Sequence, residues 1–190
     1  MTLTAVLFVG GLSQRMGTDK APLVIEGEPL WQRQINRLQE LKPQALWISA
    51  RERPAWCPPN IETVMDQSPS RGPLSGLSAS LDRLQTSHLL ALAIDLPRMT
   101  AKQLRELCAL AESGRGVIPL NGETFEPLCA IYPIEAAATA QSALAAADLS
   151  LQRLARTLVR ENRALAYPLS EREKELFQNI NTPADRDNLR

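Results

Sequence analysis

The strongest constraint on the fold is the segment of residues 4–9, an uncharged run of sequence TAVLFV that ends at two glycines. A strand with one face in water alternates apolar and polar residues, and this run does not alternate. It is therefore predicted to be a strand buried on both faces, as strands are in parallel sheets with helices on either side. Residues 89–94, of sequence LLALAI, repeat the pattern and end at Asp95. Two such strands favour an α/β fold around a parallel sheet.

The rest of the chain alternates further strand patterns with amphipathic helices. One helix face is marked by leucines at steps of three, four and three, at Leu74, Leu77, Leu81 and Leu84. Helices are also predicted at 30–41, 100–110, 135–147 and 151–158, and strands at 45–48, 61–65, 116–118 and 128–132. Residues 100–103 and 170–173 match the capping-box pattern, and Asn121-Gly122 predicts a tight turn. Strands joined through helices imply a three-layer, mostly parallel, Rossmann-like sheet flanked by helices.

Length, charge and rare residue types exclude several classes of function. The 190 residues suit one domain, 1–190, and 21 basic residues balance 21 acidic ones. With no net charge, general attraction to nucleic acid or to an anionic membrane is not expected. No apolar run approaches the ~20 residues of a membrane span, so a cytoplasmic protein is expected. Three cysteines without C-x-x-C spacing and a single histidine, His88, argue against a zinc site and histidine-dependent triads.

The loop after the first strand, residues 10–20, has the composition of an anion-binding site. In a parallel sheet, ligands lie outside the carboxyl ends of the strands, where this loop begins. Its glycines allow backbone N–H groups to converge on an anion, and Ser13 adds a hydroxyl. Arg15 and Lys20 supply the positive charge that a triphosphate needs. The spacing fits neither a Walker A loop nor a dinucleotide fingerprint. The alternative is a glycine-rich turn with solvated charges.

Two aspartates follow predicted strands at the same edge of the sheet. Asp95 comes directly after an apolar run, and a carboxylate there needs a cation, a donor or solvent. A divalent ion bound to phosphates suits it, because Mg²⁺ takes one or two carboxylates plus phosphate oxygens. Asp66 opens the loop that reaches Gly72 and could accept from ribose hydroxyls or a base. The alternatives are a turn aspartate before Pro97 and a simple loop.

In residues 10–23 the sequence GGLSQRMGTDKAPL resembles the G-G-x-S-x-R-M-G-x-D-K-x-x-L signature of molybdenum cofactor guanylyltransferases and related enzymes of nucleotidyltransferase fold. Asp66 with residues 72–76 (GPLSG) is similar to a second block of that family. Asp95-Leu96-Pro97 and residues 179–183 (NINTP) are similar to its D-x-P and N-x-N-T-P blocks. The four blocks stand in the family's order over nearly the whole chain.

The resemblance implies a reaction and assigns roles to residues. The family transfers GMP from GTP to the terminal phosphate of molybdopterin and releases pyrophosphate, which implies Mg²⁺, GTP and molybdopterin as cofactor and substrates and a molybdoenzyme or insertion protein as a partner. By the same resemblance Arg15, Lys20 and Asp95 are expected to be catalytic, and Asp95 is also expected to bind the metal. Asn179 and Asn181 are expected to bind substrate, near the metal or the pterin, and the alternative is that they cap the last helix. The residues implied for nucleotide binding are Phe8, Val9, Gly10, Gly11, Ser13, Arg15, Lys20, Ser49, Asp66, Gly72 and Asp95.

Two positions depart from the family pattern and leave the base preference open. Val9 stands where the family commonly has alanine, and Ser49 stands where it commonly has asparagine near the base. One alternative is therefore a nucleotidyltransferase of the same fold that uses CTP or another triphosphate. The other is a nucleotide- or cofactor-binding protein without transfer activity. An attacking phosphate oxygen is already ionised, so the expected chemistry needs no histidine base, and His88 is expected to be structural.

Overall fold

The centre of the fold is strand β1 (Leu3–Phe8), in which all six residues are buried. The computed structural model describes residues 1–9, 20–65 and 72–180. Strand β1 pairs in parallel with β4 (Ala45–Ala50) on one side and with β6 (His88–Ala93) on the other. Its side chains alternate between two core clusters, because Ala5 and Leu7 belong to one and Val6 and Phe8 to the other. The strand is thus buried on both faces, as its apolar run predicts.

The sheet extends from this centre in the order β10-β7-β9-β6-β1-β4-β5, and β8 pairs with β7. The remaining strands of this sheet are β5 (Glu62–Met65), β7 (Gly116–Asn121), β8 (Thr124–Phe125), β9 (Cys129–Pro133) and β10 (Ala164–Pro168). All pairings along this path are parallel except those that β9 makes with β6 and β7. A separate hairpin pairs β2 (Val24–Ile25) with β3 (Glu28–Pro29).

Helices cover both faces of the sheet. The helices of the described residues are α1 (Leu30–Gln39), α2 (Pro73–Asp82), α3 (Ala101–Ala109), α4 (Ala136–Ala145), α5 (Leu151–Arg160) and the short α6 (Glu171–Lys174), which continues into a 3-10 turn, Glu175–Phe177. One core cluster takes side chains from α1, α3 and the segment around Phe177, and the other takes them from α2, α4 and α5. The three-layer, mostly parallel Rossmann-like sheet is confirmed.

Local patterns were predicted with different success. Both hydrogen bonds of the predicted capping box at residues 170–173 are present, because the Ser170 side chain accepts from the Glu173 N–H and the Glu173 side chain accepts from the Ser170 N–H. At residues 100–103 the Thr100 side chain accepts from the Gln103 N–H and caps α3, while the Gln103 side-chain amide donates to Glu173. Strand β10 has no counterpart among the predicted elements, and the antiparallel direction of β9 is a further difference. Within the described parts of the chain, every helix is too short or too polar to cross a bilayer.

Candidate functional site

The strand order places a topological switch point beside β1. From β1 the chain passes to β4 and β5 on one side and returns to β6 on the other. Because the connections from β1 and β6 lead to opposite sides of the sheet, a ligand crevice is expected between the carboxyl ends of these two strands. The loop after β1 is the glycine-rich loop, and the residue two positions after β6 is Asp95.

At this crevice the side chains of Lys20 and Asp95 form an ion pair. Lys20 Nζ lies 3.5 Å from Asp95 Oδ2, and the two side chains are 18% and 26% exposed. Lys20 Nζ also donates to the carbonyl of Ile180 at 2.7 Å. The Ile180 N–H in turn donates to the carbonyl of Asp95 at 3.0 Å. Three segments far apart in sequence thus converge on one partly exposed pair of opposite charges.

The end of β1 brings three further predicted residues close to this pair through backbone hydrogen bonds. The Phe8 carbonyl accepts from the Ile94 N–H at 3.0 Å, and the Val9 N–H donates to the Ser49 carbonyl at 3.1 Å. Phe8 and Ser49 are buried, and the Phe8 ring packs in the core. These hydrogen bonds hold the end of β1 to its neighbours, β4 and β6.

The other predicted residues divide into described and undescribed positions. Gly72 caps α2 with a φ of +82°, a left-handed conformation that glycine adopts without strain. Asn179 is exposed and directly precedes Ile180. The remaining predicted site residues lie outside the described residues: Gly10, Gly11, Ser13, Arg15, Asp66 and Asn181.

A second carboxylate, Glu126, lies in the electrostatic neighbourhood of Asp95. Because β9 runs antiparallel to β6, the segment before β9 lies beside the end of β6, where the Ala93 N–H donates to the Leu128 carbonyl at 2.6 Å. Burial raises the pKa of Glu126, and the charge of Asp95 adds to the increase, while a hydrogen bond with Asn121 opposes it. The sequence could not place Glu126 here without knowing the direction of β9.

Three more residues of this region carry no predicted role. Ile180 contributes only main-chain atoms, which leave no trace in the sequence. Gln34 and Arg37 of α1 hold the backbone of residues 94–97 through hydrogen bonds. Gln34 had a usable signal, since it stands between Leu30 and Leu38 at steps of four on the buried face of the helix.

Asp95 suits a metal ion that arrives with phosphate ligands. Among the described residues, no three His, Cys, Asp or Glu side chains form a group that could hold a metal ion. Asp95 offers a partly exposed carboxylate beside a cationic side chain. Since Mg²⁺ often takes one or two carboxylates and completes its shell with phosphate oxygens and water, this donor set fits a phosphate-chelated Mg²⁺.

The lone histidine lies at the far end of the same strand. His88 is 1% exposed and begins β6, whereas Asp95 follows the end of that strand. Its Nε2 lies 2.9 Å from the Glu112 carbonyl, and its Nδ1 lies 3.0 Å from Ser87 Oγ. These contacts give His88 a structural role away from the crevice, as expected.

Comparison with known proteins identifies the family of the chain. Residues 5–165 match the family model of the MobA-like NTP transferase domain. A protein of Opitutus terrae named "Probable molybdenum cofactor guanylyltransferase" is 36% identical over 99% of this chain and 95% of its own. A protein of the same name from Natronomonas pharaonis is 31% identical over 98% and 96%.

Solved structures extend the likeness to the fold. Molybdopterin-guanine dinucleotide biosynthesis protein A from Archaeoglobus fulgidus superimposes with a TM-score of 0.75 at 21% identity, over 98% of this chain and 96% of that one. The family match covers most of the chain, and the relatives match nearly all of it. The chain therefore belongs to the MobA-like NTP transferase family and is a nucleotidyltransferase.

Proposed function

We propose that this protein transfers GMP from GTP to the terminal phosphate of molybdopterin, forming the guanine dinucleotide cofactor and releasing pyrophosphate. The observation that carries the proposal is the meeting of Lys20 and Asp95 at the switch point of the sheet. A cation and a metal-binding carboxylate at one crevice are what a metal-chelated triphosphate requires. The names of the relatives in Opitutus and Natronomonas support the choice of acceptor and nucleotide.

The roles of the side chains follow from the charges that develop in this reaction. A phosphate oxygen attacks the α-phosphorus and pyrophosphate leaves, so no residue has to remove a proton. Lys20, with Arg15 from the same loop, would neutralise the negative charge that develops on the pyrophosphate. Asp95 would hold Mg²⁺, which when bound draws charge from the phosphate oxygens and fixes their orientation. Catalysis then depends on positioning and charge stabilisation.

The remaining predicted residues are proposed to bind the two substrates. Backbone N–H groups at Gly10 and Gly11 and the Ser13 hydroxyl would receive the phosphates, and Asp66 would accept from the nucleoside. The β1–β4 edge and Gly72 would border the nucleoside. Asn179 and Asn181 would bind the pterin substrate, as the family resemblance implies. Asn179 adjoins Ile180, whose carbonyl accepts from Lys20, so it lies near the Lys20–Asp95 pair.

The test is pyrophosphate release by the purified protein with Mg²⁺, molybdopterin and each of the four ribonucleoside triphosphates. GTP is expected to be the preferred donor. A preference for CTP would make the protein a cytidylyltransferase of the same fold. Binding of nucleotide without pyrophosphate release would indicate a binding protein that lacks transfer activity.

Two variants test the residues themselves. Asp95→Asn and Lys20→Met are each expected to lower turnover by at least ~10²-fold, the typical loss of a charge-stabilising group. Lys102→Met is the matched control, because the Lys102 side chain is 83% exposed on α3. Near-normal turnover in either site variant would remove that residue from the mechanism.

A further inference from the structure

The four consecutive residues 94–97, which carry Asp95, lie beyond the last paired residue of β6. Each of their backbone carbonyls therefore needs a partner from outside the sheet ladder. All four accept a hydrogen bond from elsewhere in the chain, at Ile94, Asp95, Leu96 and Pro97. The Asp95 carbonyl accepts from the backbone N–H of Ile180, and the Ile94 and Pro97 carbonyls accept from side chains of α1. The Leu96 carbonyl accepts both from a side chain of α1 and from the Met99 N–H at 3.2 Å.

Gln34 supplies two of these hydrogen bonds. Its side chain is completely buried, and Nε2 lies 3.3 Å from the Ile94 carbonyl and 2.8 Å from the Leu96 carbonyl. Its Oε1 accepts from Arg37 at 3.0 Å. Because two carbonyls require donors and a guanidinium requires an acceptor, the partners fix the orientation of the amide. Gln34 thus connects the carbonyls on both sides of Asp95 to one rigid helix.

Arg37 supplies the third of these side-chain hydrogen bonds and orients the glutamine. Its guanidinium donates to the Pro97 carbonyl at 2.7 Å, as well as to Gln34 Oε1. Burial, followed by the nearby charge of Arg33, lowers the pKa of Arg37 to about 10. Arg37 is therefore still charged at neutral pH and keeps its donors. Because the charged guanidinium of Arg37 is partly buried, it costs free energy unless its hydrogen bonds to Gln34 and the Pro97 carbonyl are made, and this restricts its position.

We propose that Gln34 and Arg37 are positioning residues that fix the backbone around Asp95 and so aim its carboxylate at the metal-chelated triphosphate. This role rests on the proposed function, since it presumes that Asp95 holds the metal. Neither side chain contacts the reacting atoms in this scheme. They act through residues 94–97, and their effect should be seen in metal affinity as well as in turnover.

The test compares Gln34→Met and Arg37→Met with two controls on the same helix. Arg37→Lys keeps a donor for the Pro97 carbonyl. Arg33→Met removes the same functional group, but Arg33 donates to the Ile25 carbonyl at 3.1 Å and pairs with Glu26, away from Asp95.

The first readout is Mn²⁺ affinity, measured by electron paramagnetic resonance with the unreactive α,β-methylene analogue of GTP. Gln34→Met and Arg37→Met are each expected to weaken Mn²⁺ binding about tenfold, which is about 1.4 kcal/mol. Arg37→Lys should restore most of the affinity, and Arg33→Met should leave it unchanged. The second readout is hydrogen exchange of the amides of residues 94–96 without ligand. This exchange should become faster in Gln34→Met and Arg37→Met and should stay unchanged in Arg33→Met.

Each alternative gives a distinct pattern. Unchanged Mn²⁺ affinity in Gln34→Met and Arg37→Met, or an equal loss in Arg33→Met, would reduce the two residues to ordinary stabilisers of α1 and overturn the proposal. Unaltered exchange at residues 94–96 would overturn it independently of any ligand. If the wild-type protein bound neither Mn²⁺ nor the analogue while exchange responded as expected, the proposed function would be wrong, and the positioning role would fail with it.

Discussion

Removal of the Lys20 ammonium is expected to have opposite effects on metal binding with and without nucleotide. In the nucleotide-free protein the ammonium lies 3.5 Å from Asp95 Oδ2 and competes with any cation for that carboxylate. Lys20→Met should therefore strengthen the binding of Mn²⁺ alone. With a triphosphate present, the same change removes a positive charge from the phosphates and should weaken the binding of the metal–nucleotide complex.

The size of the first effect follows from the separation of the two charges. Unit charges at 3.5 Å interact by about 1.2 kcal/mol in water and about 5 kcal/mol at an effective dielectric constant of 20. Both side chains are partly exposed, at 18% and 26%, so the lower end applies. About 1 kcal/mol corresponds to roughly fivefold tighter Mn²⁺ binding. The gain should shrink in 1 M salt, where exposed charges are screened.

The assay is a titration with Mn²⁺ followed by electron paramagnetic resonance, first with protein alone and then with the α,β-methylene analogue of GTP. Asp95→Asn identifies the site, because it should abolish the tight binding in both conditions. Lys102→Met should match the wild-type protein. Unchanged or weaker binding of Mn²⁺ alone to Lys20→Met would refute the reasoning that the ammonium and the metal share one carboxylate.

Three further predictions concern stability and thiol chemistry. Burial by itself raises the pKa of Glu173, but hydrogen bonds from neighbouring hydroxyl, backbone and amide groups outweigh it and lower the pKa to about 2. Its contribution to stability is therefore complete above the unfolded-state pKa of about 4.3 and is lost as pH falls toward about 2. In urea unfolding, the stability of Glu173→Gln should depend less on pH in this window than that of the wild-type protein. An equal pH dependence would show that the Glu173 hydrogen bonds do not lower its pKa. Gly116→Ala would place its Cβ 2.0 Å from the Ile131 carbonyl oxygen, and a loss of about 3 kcal/mol is expected in urea unfolding. Gly122→Asn is the control, since no atom lies within 4 Å of its Cβ and asparagine tolerates the left-handed φ of +61°. Equal losses of unfolding free energy in Gly116→Ala and Gly122→Asn would show that the clash with Ile131 is not the cause. Burial raises the pKa of Cys108 to about 11. Iodoacetamide at pH 8 should therefore label this thiol at least about tenfold more slowly in the folded than in the urea-unfolded protein, as measured by mass spectrometry. Equal labelling rates would show that the fold does not protect the thiol.

The layered fold could be predicted because its central strands carry an unmistakable pattern. Uninterrupted apolar runs at β1 and β6 require burial on both faces of the sheet. The spacing of the leucines in α2 requires a helix with one apolar face. Strand β10 escaped prediction because its apolar run, Ala164 to Tyr167, is short, contains two alanines, which are depleted in strands, and ends at Pro168. The antiparallel pairing of β9 with β7 agrees with the tight-turn signal at Asn121-Gly122 between them, whereas the pairing of β9 with β6 joins segments far apart in sequence, which local patterns do not encode.

The site was predictable where side-chain chemistry carries the information. Lys20 and Asp95 follow two buried strands, and parallel strands present their carboxyl ends at one edge, so their proximity follows from topology. The supports of Asp95 were not predictable in this way. Ile180 acts through main-chain atoms, and Gln34 and Arg37 act on carbonyls rather than on side chains that a motif would show. Knowledge of which helix lies beside residues 94–97 is needed first.

Lys20 is held by the main chain of Ile180, so its position depends on the number of residues that precede Ile180. Ile180 engages Lys20 with its carbonyl and Asp95 with its N–H, while its side chain is 5% exposed in the core. Another apolar residue at this position would keep both hydrogen bonds. Insertion or deletion of a single residue between Phe177 and Ile180 would move both backbone groups out of reach. The site therefore tolerates a change of identity at position 180 far better than a change of spacing before it.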